Sequence, residues 1–216
     1  MENSIPVIIF LGAPGAGKGT QALRLSQLKS IPKISTGDML RQAQREDSPL
    51  GRKVKEIMND GGLVDDDTML DLVKERIMRP DCDQGFILDG YPRTKRQAAQ
   101  LEGLLKPNMS VCVFKIEVEE DEIVRRVVGR RTCSTCEQIY NIFSDPPKVD
   151  EKCDLDGSKL FRRADDTEEV VRKRIATYQR ETRPLISHYE KKGVLRNVNG
   201  MQPEEIVAKE ILQTIC

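Results

Sequence analysis

The sequence predicts an α/β fold in which a parallel sheet carries helices on both faces. Residues 6–11 form a short apolar run that suits a buried strand. A glycine-rich turn follows, and residues 18–28 then repeat apolar side chains every three positions, as one face of a helix does. Further apolar runs, separated by helical segments, occupy residues 86–88, 111–116 and 194–198. This alternation of strands and helices is typical of parallel sheets.

Composition limits the kinds of partner. The 216 residues include 35 Lys and Arg against 35 Asp and Glu, so no overall field favours nucleic acid or an anionic membrane. No apolar run reaches the length of a membrane span, and the start lacks the basic segment of a signal peptide. We therefore expect a globular, cytoplasmic protein without nucleic-acid or membrane partners. Six cysteines in such a chain indicate reduced thiols or a metal site.

Two segments interrupt the alternation. Residues 35–63 lack strand candidates and are predicted to form a small helical insertion. Residues 129–166 contain Pro, Gly and three of the six cysteines, which predicts a separate loop-rich lobe. A helix is expected to restart at Asp166 as N-cap, with Glu168 to Arg172 and Glu169 to Lys173 as favourable pairs four residues apart.

The segment IIFLGAPGAGKGTQ joins the first strand to the first helix and matches a P-loop. Gly12, four residues, Gly17 and Lys18 provide backbone N–H groups and a helix N-terminus for phosphate, and a lysine that reaches the terminal phosphates. Gly19 stands where the motif has Ser or Thr, so a metal contact of Thr20 stays open. An ordinary glycine turn is the alternative, but the strand and helix context favours a P-loop NTPase-type sheet.

Phosphoryl transfer would explain further residues. The segment GFILDGYPR ends a predicted strand at Asp89, where a P-loop protein needs a carboxylate for the water shell of magnesium; a simple turn is the alternative. Guanidinium groups stabilise the charge of the transferring phosphoryl group, although each candidate could instead lie on a solvated helix face. A phosphate acceptor needs no general base, so His188 is expected to be structural. The candidate arginines are Arg41, Arg93, Arg126, Arg130, Arg163 and Arg174.

The motifs GAPGAGKGTQ, PKISTGDMLR, LVKERI, GFILDGYPRT, VGRR, RADDTEE and VRKRI occur in this order along nearly the whole chain. Together they resemble the adenylate kinase family in its bacterial long-lid form. The resemblance implies a core of residues 1–34, 65–128 and 167–216, a helical AMP-binding insert at 35–64 and a small zinc-ribbon-like lid at 129–166. It further implies Mg²⁺-dependent conversion of ATP and AMP into two ADP by a monomer.

The same resemblance implies site residues. Gln97 would contact the AMP adenine, Arg126 would lie against the ATP adenine, and Asp165 and Asp166 would help to close the lid. The implied catalytic residues are Lys18, Arg93, Arg130, Arg163, Arg174 and Asp89. ATP would be bound by Gly12, Ala13, Pro14, Gly15, Ala16, Gly17, Lys18, Gly19, Thr20, Arg126, Arg130 and Met201. AMP would be bound by Thr36, Arg41, Leu63, Val64, Gly90, Arg93, Gln97, Arg163 and Arg174.

The cysteine spacing predicts a structural metal site. Cys133-x-x-Cys136 is followed after sixteen residues by Cys153-x-x-Asp156, a ligand set that suits tetrahedral Zn²⁺. A redox Cys-x-x-Cys lacks the expected βαβ context, and free thiols would leave the third cysteine unexplained. Of the remaining cysteines, Cys112 is expected to be buried, whereas Cys82 and Cys216 are expected to be surface thiols.

Three rival functions remain open from the sequence. Another nucleoside monophosphate kinase would carry the same P-loop, although Gln97 and the long metal-binding lid favour adenine nucleotides. A non-catalytic P-loop switch would bind one nucleotide and would leave the second phosphate-binding set around Arg41 and Arg93 without a purpose. A zinc-ribbon nucleic-acid binder is disfavoured by the balanced charge of the lobe and its few aromatic residues.

Overall fold

A five-stranded parallel sheet forms the centre of the protein, in a computed structural model that describes residues 4–45, 48–136 and 138–215. Its strands are β1 (Ile5–Leu11), β2 (Lys33–Ser35), β3 (Phe86–Asp89), β4 (Met109–Glu117) and β8 (Leu195–Asn199). The spatial order is β2-β3-β1-β4-β8. The strand order reverses beside β1, which places a crevice beyond the carboxyl ends of β1 and β3.

Helices cover both faces of this sheet, as the sequence predicts. Alternate side chains of β1 enter different cores: Val7, Ile9 and Leu11 join one buried cluster, and Ile8 and Phe10 join the other. The helices are α1 (Lys18–Lys29), α2 (Thr36–Ala43), α3 (Pro49–Asn59), α4 (Asp66–Ile77), α5 (Lys95–Leu104), α6 (Glu120–Gly129), α7 (Glu168–Thr177), α8 (Pro184–Lys191) and α9 (Glu204–Thr214). A 3₁₀ helix at Pro80–Cys82 and a π-helical segment at Tyr178–Thr182 complete them.

The cysteine-bearing lobe forms a second, antiparallel sheet. Its strands are β5 (Arg130–Cys133), β6 (Ile139–Asn141) and β7 (Leu160–Phe161), in the order β6-β5-β7. Its buried cluster contains two thiols, one phenol and a single leucine: Cys133, Cys153, Tyr140 and Leu160. So small an apolar core gives the lobe little stability from burial alone.

Two local predictions are wrong, and both errors arise from tertiary contacts. The insertion is not free of strand residues, because Ser35 ends β2, a three-residue strand that forms by pairing with β3. Asp166 does not cap α7. Thr167 caps this helix by accepting a hydrogen bond from the N–H of Val170. The carboxylate of Asp166 is fully buried and pairs with Arg130.

Of the other predictions about single residues, some are confirmed and one is wrong. Cys112 is buried as expected, whereas Cys82 is no surface thiol: it is buried, and burial raises its pKa. Cys216 lies outside the described residues. The pairs Glu168–Arg172 and Glu169–Lys173 form at 2.9 and 3.2 Å. His188 hydrogen-bonds Glu102 on the surface of α8.

Among the helices of the described part of the chain, none combines the length and apolar character that crossing a membrane requires.

A matched pair of glycine substitutions tests the packing of the sheet. Gly85 has φ +112°, and an added Cβ would lie 2.5 Å from the backbone oxygen of Pro6, near the start of β1. We expect Gly85→Ala to lower the free energy of unfolding by about 2 kcal/mol or more, because backbone atoms would have to move. Gly103→Ala meets nothing within 4 Å inside α5 and should raise it by up to about 1 kcal/mol. Urea unfolding measures both, and equal effects would contradict the packing.

Candidate functional site

A cavity of about 1180 Å³ opens beyond the carboxyl ends of the central strands, between the sheet, the 35–64 segment and the cysteine-bearing lobe. Most of the residues predicted for the site line it: Pro14, Gly15, Ala16, Gly17, Lys18, Gly19, Thr20, Thr36, Arg41, Leu63, Val64, Asp89, Gly90, Arg93, Gln97, Arg126, Arg130, Arg163, Arg174 and Met201. Gly12 lines a smaller adjoining pocket, and Ala13 instead packs against the cluster formed by α6 and α7.

The P-loop turns at glycines into the N-terminus of α1. Gly17 caps the helix with φ +93°, and at Gly15, with φ +81°, an added Cβ would lie 2.5 Å from Val127. A Cβ on Gly19 would lie 3.1 Å from Oδ2 of Asp89. Asp89 thus lies directly beside the position that follows the lysine of this loop.

Lys18 is enclosed by the loop that precedes it. Its Nζ donates hydrogen bonds of 2.8 Å to the carbonyl oxygens of both Gly12 and Ala13. Burial lowers the pKa of Lys18 to about 8, Asp89 opposes this shift, and Arg93 and Arg174 add to it. The ammonium group is therefore poorly solvated, which increases its attraction for a phosphate.

Four arginines line the cavity, and their charges are neutralised to different degrees. Burial lowers the pKa of Arg93 and of Arg163 to about 10, and it also lowers the pKa of Arg174. Arg174 donates to Asp165 at 2.7 Å, and the Nε of Arg130 donates to Asp166 at 2.8 Å. The first pair attaches the base of the lobe to α7, the second joins the two ends of the lobe, and Arg93 and Arg163 are left with weaker compensation.

The side of the cavity near the insertion presents both charge and hydrogen-bonding groups. Arg41 pairs with Asp38. Burial raises the pKa of the Asp38 carboxyl, but the charge of Arg41 and the hydrogen bonds from Ser35 and Arg41 together outweigh burial and lower the pKa to about 2. Thr36 Oγ1 and Arg93 Nε both donate to the carbonyl oxygen of Gly90, at 2.9 and 2.7 Å. The buried Gln97 also lines the cavity.

The opposite side is formed by α6, the start of α9 and the lobe. Arg126 Nε donates to Glu122 at 2.8 Å, and its backbone oxygen accepts from Nδ2 of Asn141 at 2.9 Å, which joins α6 to the lobe. Met201 is exposed at the turn before α9. Arg126 and Met201 thus both line the cavity on this side.

The four predicted metal ligands converge in the lobe. One donor atom from each of Cys133, Cys136, Cys153 and Asp156 lies within 4.8 Å of the others. The Sγ atoms of Cys136 and Cys153 are 3.5 Å apart, and Cys133 Sγ lies 3.5 Å from both carboxylate oxygens of Asp156. Three thiols and one carboxylate at this separation can hold one divalent metal ion.

Tyr140 supports this cluster, and the sequence analysis did not identify it. Its hydroxyl accepts from the N–H of Asp154 at 2.8 Å and lies 3.5 Å from Cys153 Sγ. The backbone N–H groups of Thr135 and Cys136 also point to Cys133 Sγ, at 3.4 and 3.5 Å. Its position within the cysteine spacing was the available signal, because Asp154 and Cys153 are more than ten residues away along the chain.

Asp38 and Asp66 were also missed. Each lies one to three residues beyond the cap of a helix that borders the cavity, a place where an acidic residue usually interacts with the helix N-terminus. The segment Thr94-Lys95-Arg96-Gln97 fits a capping box, and this pattern could have shown that the side chain of Gln97 is held by backbone.

Comparisons with known proteins agree with this geometry. The family model described as adenylate kinase matches residues 10–194. An adenylate kinase of Archaeoglobus fulgidus is 50% identical over 206 residues, covering 94% of this chain and 95% of that protein. Those of Thermosipho africanus and Thermotoga maritima are 48% and 47% identical over 211 residues, covering 96% of this chain and 98% and 96% of theirs. The phosphate loop, the arginine-lined cavity and these matches identify the chain as a member of the adenylate kinase family.

Proposed function

We propose that this protein catalyses the reversible transfer of the terminal phosphoryl group of ATP to AMP, giving two ADP. The observation that carries the proposal is that two phosphate-binding sets face one cavity. Lys18 and the P-loop form one set, and Arg41 and Arg93 form the other. A protein that binds a single nucleotide would have no use for the second set.

Binding and orientation account for the chemistry. The phosphate of AMP is already an anionic nucleophile, so no side chain has to remove a proton from it. Lys18, Arg93, Arg130, Arg163 and Arg174 would hold the two nucleotides in line and stabilise the charge on the transferring group. Enclosure by the two inserts would exclude water and prevent hydrolysis of ATP.

Asp89 is the residue proposed to serve magnesium. Its carboxylate lies at the carboxyl end of β3 and against Gly19 of the P-loop, beside the predicted phosphate position. When bound with ATP, Mg²⁺ supplies neutralisation of the phosphate charge. The carboxylate of Asp89 would orient the water shell of the ion and would also offset the charge of Lys18.

The proposed division of the chain follows the site. Residues 1–34, 65–128 and 167–216 would form the core, 35–64 the AMP-binding insert and 129–166 the lid. Thr36 and Arg41 lie on the insert, and Arg130 and Arg163 lie on the lid, so each insert brings charged or polar groups to the cavity. We further propose a cytoplasmic monomer whose partners are ATP, AMP and ADP, with no nucleic acid or membrane partner.

Zn²⁺ is the metal proposed for Cys133, Cys136, Cys153 and Asp156. Thiolate ligands favour zinc, and a site closed by four side chains leaves no position for substrate. The metal would therefore be structural, and it would stabilise a lobe with few apolar contacts.

Removing one positive charge from either phosphate-binding set should strongly lower turnover. We expect Lys18→Met and Arg93→Ala each to lower the rate of ADP formation by about 10²-fold or more, with the fold retained, because each removes a positive charge aimed at phosphate. Arg96→Ala is the control, since Arg96 is an exposed neighbour that pairs with Asp67. A coupled assay of ADP formation, with a panel of other donors and acceptors, measures the effect. Near-normal turnover of either variant would contradict the roles.

Lys18 should give the reaction a pH dependence. Its pKa near 8 means that the free enzyme holds a charged Lys18 below pH 8 and a neutral one above it. Bound phosphate favours the charged form, so kcat/KM for ATP should fall by about tenfold per pH unit above 8, while kcat changes less. Lys18→Arg, which stays charged, should be slower but show no such fall. The same fall in Lys18→Arg would assign the titration to another group.

Metal removal should affect stability before it affects chemistry. The purified protein is expected to contain about one zinc per chain, and a chelator should lower its melting temperature. Cys153→Ser should lose the zinc and melt lower, with no further effect of chelator. Cys82→Ser, which alters a buried thiol outside the cluster, should keep the metal. Zinc quantification and melting curves test this, and full zinc content in Cys153→Ser would refute the site.

A further inference from the structure

The side-chain amide of Gln97 is held at both ends. Its Oε1 accepts a 2.7 Å hydrogen bond from the backbone N–H of Arg93, and its Nε2 donates a 2.8 Å hydrogen bond to Oδ1 of Asp66. A backbone N–H can only donate and a carboxylate can only accept. Turning the amide over would therefore set donor against donor and acceptor against acceptor, so the orientation of Gln97 is fixed by its partners.

Asp66 is itself held in place. Its Oδ2 accepts a 2.9 Å hydrogen bond from Oγ1 of Thr94, the N-cap of α5. Thr94 Oγ1 in turn accepts the backbone N–H of Gln97 at 3.1 Å. Asp66, Thr94 and Gln97 form a closed ring of hydrogen bonds between the starts of α4 and α5, which leaves the carboxylate little freedom to change partners.

Within the described part of the chain, the held amide still has one N–H and one oxygen lone pair without a partner, in a fixed arrangement. Purines differ in what they offer to such a pair. A 6-aminopurine presents an N–H donor at position 6 and an acceptor at N1, and a 6-oxopurine presents the reverse. A free amide could turn over and bind either edge, but a fixed amide matches only one of them.

We propose that Asp66 is a specificity-determining residue of the acceptor site: with the N–H of Arg93, it fixes the amide of Gln97 so that a 6-aminopurine is accepted and a 6-oxopurine is rejected. This inference rests on the proposed function, in which AMP is the acceptor and Gln97 contacts its base. Asp66 acts through Gln97 and is a positioning residue.

The test compares AMP with inosine 5′-monophosphate, which differs at position 6 and in protonation at N1. Two variants release the amide: Asp66→Ala removes the acceptor, and Asp66→Asn keeps the volume but can present either a donor or an acceptor. We expect the ratio of kcat/KM for AMP to that for inosine monophosphate to fall by about tenfold in both, because a wrongly paired polar edge is what rejects the oxopurine. KM for ATP should not change.

Asp67→Ala is the matched control. It removes the same charge from the first turn of α4, but Asp67 is exposed and contacts Arg96 and Gln100 instead of Gln97. Its nucleotide ratio should equal that of the unaltered protein. A loss of helix stability alone would lower both rates together and leave the ratio unchanged, and that result in the Asp66 variants would overturn the inference.

Different experimental results would contradict this inference and the proposed function. If Gln97→Ala removes the preference for AMP while both Asp66 variants keep it, Gln97 reads the base and Asp66 does not fix it. If the unaltered protein makes no ADP from ATP and AMP, the proposed function fails and this inference fails with it.

Discussion

Buried positive charge is the constraint on which the arrangement of this protein depends. Lys18, Arg93, Arg163 and Arg174 all have pKa values that burial lowers, so each is short of solvent. A cluster of such cations in one cavity costs free energy unless anions enter it. Nucleotide phosphates would supply those anions, and the poor solvation of the cations would strengthen their binding.

Helix α7 contacts both of the segments that border the cavity. Its Arg174 pairs with Asp165 at the base of the lobe. On another side, Lys173 lies 3.2 Å from Asp60, and Thr177 Oγ1 donates to the carbonyl oxygen of Gly61 at 3.2 Å. The end of the 35–64 segment and the end of the 129–166 segment thus contact a single helix. The position of this helix therefore bears on the contacts of both segments.

The sequence predicted those features that depend on neighbouring residues. The P-loop, the strand at residues 86–88 and the metal spacing are contiguous patterns, and the structure contains each of them. The sequence did not predict features that depend on contacts between residues far apart in the chain. Strand β2 exists through its pairing with β3, Arg130 pairs with the Asp166 carboxylate that was expected to cap α7, and Asp66, which holds the amide of Gln97, lies 31 residues before it. No local pattern contains these three contacts.

The paired strands β5 and β6 connect the metal cluster to the cavity. Arg130 begins β5 and Cys133 ends it, so a charged residue of the site and a metal ligand share one four-residue strand. Tyr140 of β6 pairs with the next residue, Arg131, while its hydroxyl lies against Cys153. A metal ion that holds Cys133 and Cys153 would restrict both strands at once. The position of Arg130 would then depend on the cluster as well as on Asp166.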